Sequence, residues 1–174
     1  SVPYPLEDSL VVITKKNKKG KSSVLLDENA VNVENDRAYQ FAKKVTERKK
    51  VIQAKLRKFK KSSGSIAMFG AGHLSVAFIS IMEIADMIDF VIDDNPHKKG
   101  KIMPVGDIEI LGSDSLYSRK FSLCLLGLNP QNQPKLIEKH ARFLDNGGKF
   151  ASIFPGTTLE MLPGTSVFSE AVSP

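Results

Sequence analysis

The chain of 174 residues is poor in the residues that build disulfides and metal sites. It has one cysteine, Cys124, which excludes an internal disulfide and gives no zinc-ligand spacing. Its three histidines show no ligand spacing either, so the sequence predicts no metal. Cys124 lies in the apolar run FSLCLLG and is interpreted as a buried strand residue rather than a nucleophile. We expect a cytoplasmic location from this cysteine usage.

Long apolar runs and stacking aromatics are also missing. No run approaches the roughly 20 residues that span a bilayer, and no signal-peptide pattern opens the chain, so we expect no membrane association. Tryptophan is absent and tyrosine occurs three times, which argues against base stacking on nucleic acid. The chain opens with SVPYPLEDSLVV and no initiator methionine, so we expect a fragment or a processed chain.

The net charge of +6 is unevenly distributed. Residues 37–61 hold eleven Lys or Arg and one acid, Glu47, so the rest of the chain carries a net charge of −4. Apolar residues recur in this region at steps of three, four and seven, at Phe41, Val45, Ile52, Leu56 and Phe59. We predict a helix over residues 32–61 that is capped by Asn35 or Asp36, with a solvated basic face that does not bind nucleic acid.

Residues 66–100 carry the most informative pattern. An apolar strand is followed by a Gly-Ala-Gly turn, an apolar helix and a second strand that ends in Asp93 and Asp94. Glycines let a phosphate approach the backbone, the helix presents its first amides, and an acid about 20 residues later accepts a hydrogen bond from a ribose hydroxyl. Asp93 lies 23 residues after Gly70. Ser75 replaces the third glycine of the dinucleotide fingerprint, so the pattern is GxGxxS.

Strands and helices alternate through the rest of the chain. The patterns predict strands over residues 108–111, 121–126 and 149–154, helices over 113–117 and 133–145, and a turn-rich tail over 157–174. A β-hairpin over residues 9–14 and 22–27 precedes the long helix. We therefore predict an α/β fold, a Rossmann-like and mainly parallel sheet with flanking helices, preceded by a β-hairpin and a long basic amphipathic helix.

Three regions follow from this prediction. Residues 1–34 form an N-terminal hairpin, residues 35–61 a linking helix, and residues 62–174 the Rossmann-like domain. Ligands of such sheets bind beyond the carboxyl ends of the strands. The predicted binding residues at these ends are Gly70, Ala71, Gly72, His73, Ser75, Asp93, Asp94, Asn95, Lys98 and Asn129. Two simpler interpretations remain open: the glycines serve only a tight turn, and Asp93 caps the turn that follows it.

Four segments carry a family resemblance. They are the helix and FGA turn of residues 41–71, FVIDDNPHKKGK at 90–101, PVGDIEI at 104–110, and LGLN at 126–129 followed by FLDNGGKF at 143–150. In this order they resemble the C-terminal domain of the sugar C-methyltransferases that act on nucleotide-linked deoxysugars. The chain lacks the lysine that the family has in its glycine turn, so His73 or Lys98 would replace it. Asp107 and Leu128 stand where the family has histidine and tryptophan.

The resemblance implies that separate domains bind the methyl donor and the sugar substrate. In that family a central domain binds S-adenosylmethionine and carries the acid/base residues, and the C-terminal domain helps to hold the nucleotide-sugar. We therefore expect this chain to bind a nucleotide-sugar, to hold no cofactor itself and to be inactive alone. Two alternatives remain open: residues 1–34 are the end of an upstream methyltransferase domain, or the chain is a free-standing relative that has lost the catalytic half. No catalytic residue is assigned.

Two other functions fit the same residues. One is the NAD(H)-binding domain of an oxidoreductase, with Asp93 on the adenosine ribose. The other is a non-catalytic interaction module, in which the glycine turn is structural and the long helix docks a partner. A related fold begins the sugar acyltransferases, but the hexapeptide repeats that follow it there are missing from this sequence.

Overall fold

The computed structural model describes residues 2–4, 7–9, 12–13, 27–119 and 121–156. Of the hairpin predicted over residues 9–14 and 22–27, residues 9, 12, 13 and 27 are described and the others lie outside these ranges, as does the predicted tail. The chain divides into two compact units, Ser1–Lys43 and Lys44–Pro174.

The first unit holds a short antiparallel pair and the beginning of a helix. Strands β1 (Val2–Tyr4) and β2 (Glu7–Ser9) pair with Val2 opposite Ser9. Helix α1 (Glu28–Ser63) begins in this unit and ends in the second. Its first turn is capped by Asp27, whose Oδ1 accepts from the amides of Asn29 at 2.9 Å and Ala30 at 3.3 Å.

The prediction placed the start of α1 too late. Asn35 and Asp36 lie inside the helix, because the earlier Asp27 has the same capping chemistry and is followed by the acidic Glu28. An acid in the first turn is favourable beside the positive end of the helix dipole. The helix ends at Ser63 before Gly64, which has a φ of +97° that glycine adopts without strain.

Within the second unit, the C-terminal part of α1 packs against the core. Ile52 and Leu56 are fully buried, and the Nζ of Lys60 bonds to Oδ1 of Asp89 at 3.0 Å. Phe41 belongs to the same predicted stripe but is 65% exposed. The stripe therefore contributes to the core of this unit only from its C-terminal half.

The described residues form a five-stranded sheet that confirms the predicted α/β class. Its strands are β3 (Ser65–Phe69), β4 (Phe90–Ile92), β5 (Ile110–Leu111), β6 (Phe121–Leu126) and β7 (Lys149–Ser152). They are ordered β5-β4-β3-β6-β7 and every neighbouring pair is parallel. This is the Rossmann-like arrangement, in which the chain moves outward from β3 to one side and then crosses to the other.

The register aligns the carboxyl ends of the central strands. Phe69 at the end of β3 lies opposite Ile92 in β4 and Leu126 in β6, and Leu126 lies opposite Ser152 in β7. The order of strands reverses between β3 and β6. Loops that leave these two strands therefore diverge, which opens space for a ligand at this position.

Helices cover both faces of the sheet. On one face α1 and α2 (His73–Met82) pack with β3, β4 and β6 into a cluster that includes Ile52, Met68, Ile79, Val91 and Leu125. On the other face α3 (Ser115–Ser118), α4 (Gln133–Lys139) and α5 (Ala141–Asp145) flank a second cluster, with Ala67, Leu116, Leu126 and Phe143. Burial on both faces accounts for the continuous apolar runs of β3 and β6.

Besides α1 and α3, which is Ser115–Ser118 rather than residues 113–117, three elements differ from their predicted bounds. The helix predicted over residues 133–145 is broken at His140, whose φ of −113° and ψ of 29° separate α4 from α5. Strand β5 is shorter than predicted because the two residues before it pair back on the preceding loop: Glu109 bridges Ile102 in antiparallel pairing, and the carbonyl of Ile108 accepts from the amide of Met103 at 2.8 Å. Strand β7 ends at Ser152 rather than Phe154.

Truncation of Ile52 should lower the free energy of unfolding of the second unit far more than truncation of its neighbour Val51, which is 41% exposed. Ile52→Ala removes a fully buried side chain and is expected to lower the free energy of unfolding by about 2–5 kcal/mol. Val51→Ala should change it by no more than about 0.5 kcal/mol. Urea denaturation followed by circular dichroism measures both. Equal costs at the two positions would contradict the packing of α1.

Candidate functional site

The turn between β3 and α2 brings three strands together at their carboxyl ends. The amide of Gly70 donates to the carbonyl of Ile92 at 2.7 Å, and the amide of Gly127 donates to that of Phe69 at 2.9 Å. Gly70 has a φ of +102°, and a Cβ there would lie 3.0 Å from the Gly127 carbonyl oxygen. Both features require glycine at this position.

Gly72 has a different role from Gly70. It precedes the first turn of α2 with an ordinary φ of −122°, and no described side chain caps the helix there. A Cβ at Gly72 would meet no atom of the described chain within 4 Å. The space in front of the first α2 amides is therefore open, and these amides have no acceptor within their own helix. His73, the first residue of α2, is exposed beside this space.

Ser75 lies behind the turn and not in the open space. Its side chain is fully buried, and its hydroxyl donates to the carbonyl of Gly70 and approaches that of Gly127 at 3.4 Å. A Cβ added at Gly127 would collide with this hydroxyl. Ser75 therefore ties the turn after β3 to the loop after β6, and its hydroxyl is occupied by the backbone.

Asp93 and Lys98 reach from the loop after β4 to the glycine turn. Oδ2 of Asp93 accepts from the amide of Ala71 at 2.8 Å and from Nζ of Lys98 at 3.0 Å. The same Nζ donates to the carbonyl of Ala71 at 2.9 Å. Oδ1 of Asp93 accepts from the amide of Asn95 at 2.9 Å. We call residues 70–72, 93–98 and 127–129 the switch-point site.

The remaining predicted residues make other contacts. Asp94 points to α4, where its Oδ2 pairs with Nζ of Lys139 at 2.6 Å, and both side chains are largely exposed. Asn95 accepts from the amide of His97 at 2.9 Å. Asn129 follows β6 and accepts from the amide of Gln131 at 2.9 Å. Both asparagine oxygens therefore support local turns at the rim of the site.

Two buried polar groups lie near the site: Gln133, which was not predicted, and His140, which the sequence places as a boundary or core histidine on one helix face with Ile137 and Leu144. Gln133 is 4% exposed and its Nε2 donates to the carbonyl of Leu128 at 3.1 Å and to the hydroxyl of Ser152 at 3.0 Å. It links the loop after β6 to the end of β7. The available signal was Ser152, a polar residue within an apolar strand sequence. His140 is 3% exposed, and its Nδ1 lies 2.7 Å from the hydroxyl of Tyr117.

Burial and hydrogen bonding set the ionisation of these groups. Burial raises the pKa of Asp93, but the bonds from Asn95, Lys98 and Ala71 outweigh it, so the pKa lies below its usual value. Burial lowers the pKa of His140, which favours the neutral ring. Burial raises the pKa of Cys124 and keeps it a thiol. The site thus combines an ionised carboxylate, an ammonium group and open backbone amides.

Neither a membrane span nor a metal centre is found where the structure can be described. None of the described helices has the length and apolar content to cross a bilayer. In the same ranges, no group of three or more His, Cys, Asp or Glu side chains is placed to hold a metal ion.

The parallel sheet, its strand order and the glycine turn after β3 define a Rossmann-like domain. A model of the C-methyltransferase C-terminal domain family matches residues 9–155. The chain belongs to this family. Among solved structures it is similar to UDP-D-quinovosamine 4-dehydrogenase from Vibrio fischeri, with 18% sequence identity and a TM-score of 0.42 over 52% of this chain and 77% of that one. No curated protein matches the chain.

The contact between Gly127 and Ser75 predicts a pair of coupled substitutions. Gly127→Ala alone should lower the free energy of unfolding by about 1–3 kcal/mol, because its methyl group collides with the Ser75 hydroxyl. Adding Ser75→Gly removes that hydroxyl and should recover about 1 kcal/mol relative to the sum of the single changes. Urea denaturation of the wild type, both single variants and the double variant gives the coupling. Strictly additive costs would contradict this contact.

The lowered pKa of Asp93 predicts a pH-dependent contribution to stability. The carboxylate stabilises the folded state fully above its ordinary pKa of 3.8, and this contribution is lost as the pH falls through the lower folded value. Asp93→Asn removes the charge at every pH. The difference in free energy of unfolding between wild type and Asp93→Asn should therefore be larger at about pH 6 than at about pH 3. A difference that does not change with pH would show that the charge contributes nothing.

Proposed function

We propose that the switch-point site binds the diphosphate of a nucleotide-sugar. The observation that carries the proposal is the open position at Gly72, in front of uncapped α2 amides and beside the Lys98 ammonium group tied to Ala71. Helix amides and an ammonium group are suitable partners for a phosphate. Membership of a C-methyltransferase C-terminal domain family supports a nucleotide-sugar as the ligand class.

On this proposal the chain positions the substrate and does not itself transfer a methyl group. The Asp93 carboxylate is held by Ala71, Asn95 and Lys98, and the Nδ1 of buried His140 is held by Tyr117, so neither residue is assigned to acid/base chemistry. Holding the sugar in one orientation lowers the barrier of a reaction carried out by groups elsewhere. S-adenosylmethionine and the catalytic residues would belong to an upstream methyltransferase domain.

An NAD(H)-binding domain is the second candidate, because the strand order and the position of Asp93 also occur in dinucleotide-binding sheets. It needs the Asp93 carboxylate for the adenosine ribose. In this structure that carboxylate already accepts hydrogen bonds from Ala71, Asn95 and Lys98. This occupancy favours the nucleotide-sugar over the dinucleotide.

A thermal-shift screen should identify the ligand class. Nucleoside diphosphates and nucleotide-sugars at about 100 times Kd are expected to raise Tm by about 5–10 °C, because a ligand of the native state stabilises it by mass action. NAD, NADH and S-adenosylmethionine are expected to give no shift. A shift with NADH alone would favour the oxidoreductase domain. If no nucleotide shifts Tm, the result would favour a non-catalytic interaction module. Methyl transfer to a nucleotide-sugar by this chain alone would contradict a positioning role.

Gly72→Val tests whether the ligand occupies the open position. No atom of the described chain lies within 4 Å of a Cβ there and the extended φ of Gly72 suits valine, so the variant should fold, with a ligand-free Tm lowered by no more than about 2–4 °C because valine caps the helix less well. The nucleotide-induced shift should be lost because the side chain fills the space in front of the amides. Gly112→Ala is the matched control, since a Cβ there makes only ordinary contacts with the Lys99 side chain at 3.5 Å. Full ligand shifts in Gly72→Val would place the ligand elsewhere.

A further inference from the structure

The position of Asp93 after β4 predicts a ribose acceptor, but its oxygen atoms are already in use. Oδ2 accepts from Ala71 and Lys98, and Oδ1 accepts from Asn95, at 2.8–3.0 Å. A carboxylate offers about four lone-pair positions, so little accepting capacity remains. The side chain is 14% exposed. One of these lone-pair positions, on Oδ1, is left, so a bidentate hold on both ribose hydroxyls would have to displace one of these donors.

The partners of Asp93 and Lys98 fix the glycine turn from both sides. The amide of Ala71 donates to Asp93, and the carbonyl of Ala71 accepts from Lys98, so two successive peptide groups of the turn are held. The Asp93–Lys98 pair closes this arrangement at 3.0 Å. Neighbouring Gly72 has no such contact and a Cβ there would lie in open space. Asp93 and Lys98 therefore hold one side of the turn in a single orientation. That orientation fixes how the other side, at Gly72, faces the open space.

We infer that Asp93 is a positioning residue that holds the glycine turn, and that the site does not recognise the ribose hydroxyls of its ligand. This inference rests on the proposed binding of a nucleoside diphosphate at the switch-point site. The affinity for the ligand then comes from its diphosphate and from ligand groups other than the ribose hydroxyls. The site accepts ribonucleotides and deoxyribonucleotides alike.

Calorimetric titration with uridine diphosphate and its 2′,3′-dideoxy analogue tests the inference. Wild type should bind both with a Kd within about twofold, because the Asp93 carboxylate is held by Ala71, Asn95 and Lys98 and does not bind the hydroxyls. Asp93→Ala should weaken both by the same factor, about tenfold or more, since a charge-assisted hold on the turn is lost. Asp145→Ala, an exposed carboxylate at the end of α5, is the matched control and should bind both probes as the wild type does.

Each other outcome overturns the inference in a recognisable way. In one such outcome, the wild type binds the dideoxy analogue at least about tenfold more weakly than uridine diphosphate, and Asp93→Ala weakens only the binding of uridine diphosphate. This pair of results would make Asp93 the ribose acceptor. A lower Tm for Asp93→Ala with unchanged Kd would make its role merely structural. Wild type that binds neither probe, nor inorganic pyrophosphate, would refute the proposed function itself and the inference with it.

Two further variants keep the test decisive if Asp93→Ala does not fold. Lys98→Met removes the bond to the Ala71 carbonyl and should weaken both probes equally. Asp93→Asn keeps one carbonyl acceptor for the Ala71 amide and should restore part of the affinity for both probes. Recovery that is confined to uridine diphosphate would contradict the inference. Circular dichroism at the titration temperature establishes that each variant is folded.

Discussion

The close approach of two backbone segments, at Gly70 and Gly127, governs the geometry of the switch-point site. A side chain at Gly70 would press on the Gly127 carbonyl, and one at Gly127 would strike the hydroxyl of Ser75. Because Ser75 bonds to the carbonyl of Gly70, the turn after β3 and the loop after β6 behave as one unit. The dense packing of protein interiors makes such a contact sensitive to a single added methyl group.

The site is closed on one side and open on the other. Ser75, Asp93 and Lys98 occupy the polar groups of the turn that face the protein, whereas nothing described lies close to the Cβ position of Gly72. Polar groups that are already satisfied by their own chain do not need to reorganise when a ligand arrives. Lys98, from the loop after β4, places a cation beside the glycine turn, 2.9 Å from the Ala71 carbonyl.

Sequence patterns predicted the parts that depend on local periodicity. The apolar strands and the Gly-Ala-Gly turn are confirmed, because burial on both faces and positive φ each restrict composition. The start of α1 was wrong, since several capping residues compete and spacing alone does not choose Asp27. The break at His140 was also missed: its ring is buried and bonded to Tyr117, 23 residues away, a contact that local periodicity does not show. Likewise, the spacing of 23 residues between Gly70 and Asp93 does not predict that Lys98 bonds to Asp93 and to the Ala71 carbonyl.

The burial of Cys124 has a practical consequence. Its thiol lies in β6 between two covered faces, with none of its surface exposed, in a chain that has one cysteine. A thiol reagent can reach it only when the sheet separates from its helices, so the labelling rate reports how often this centre opens. The labelling rate of Cys124 thus measures local opening of the sheet, and a molecule that holds β3 against β6 should lower that rate.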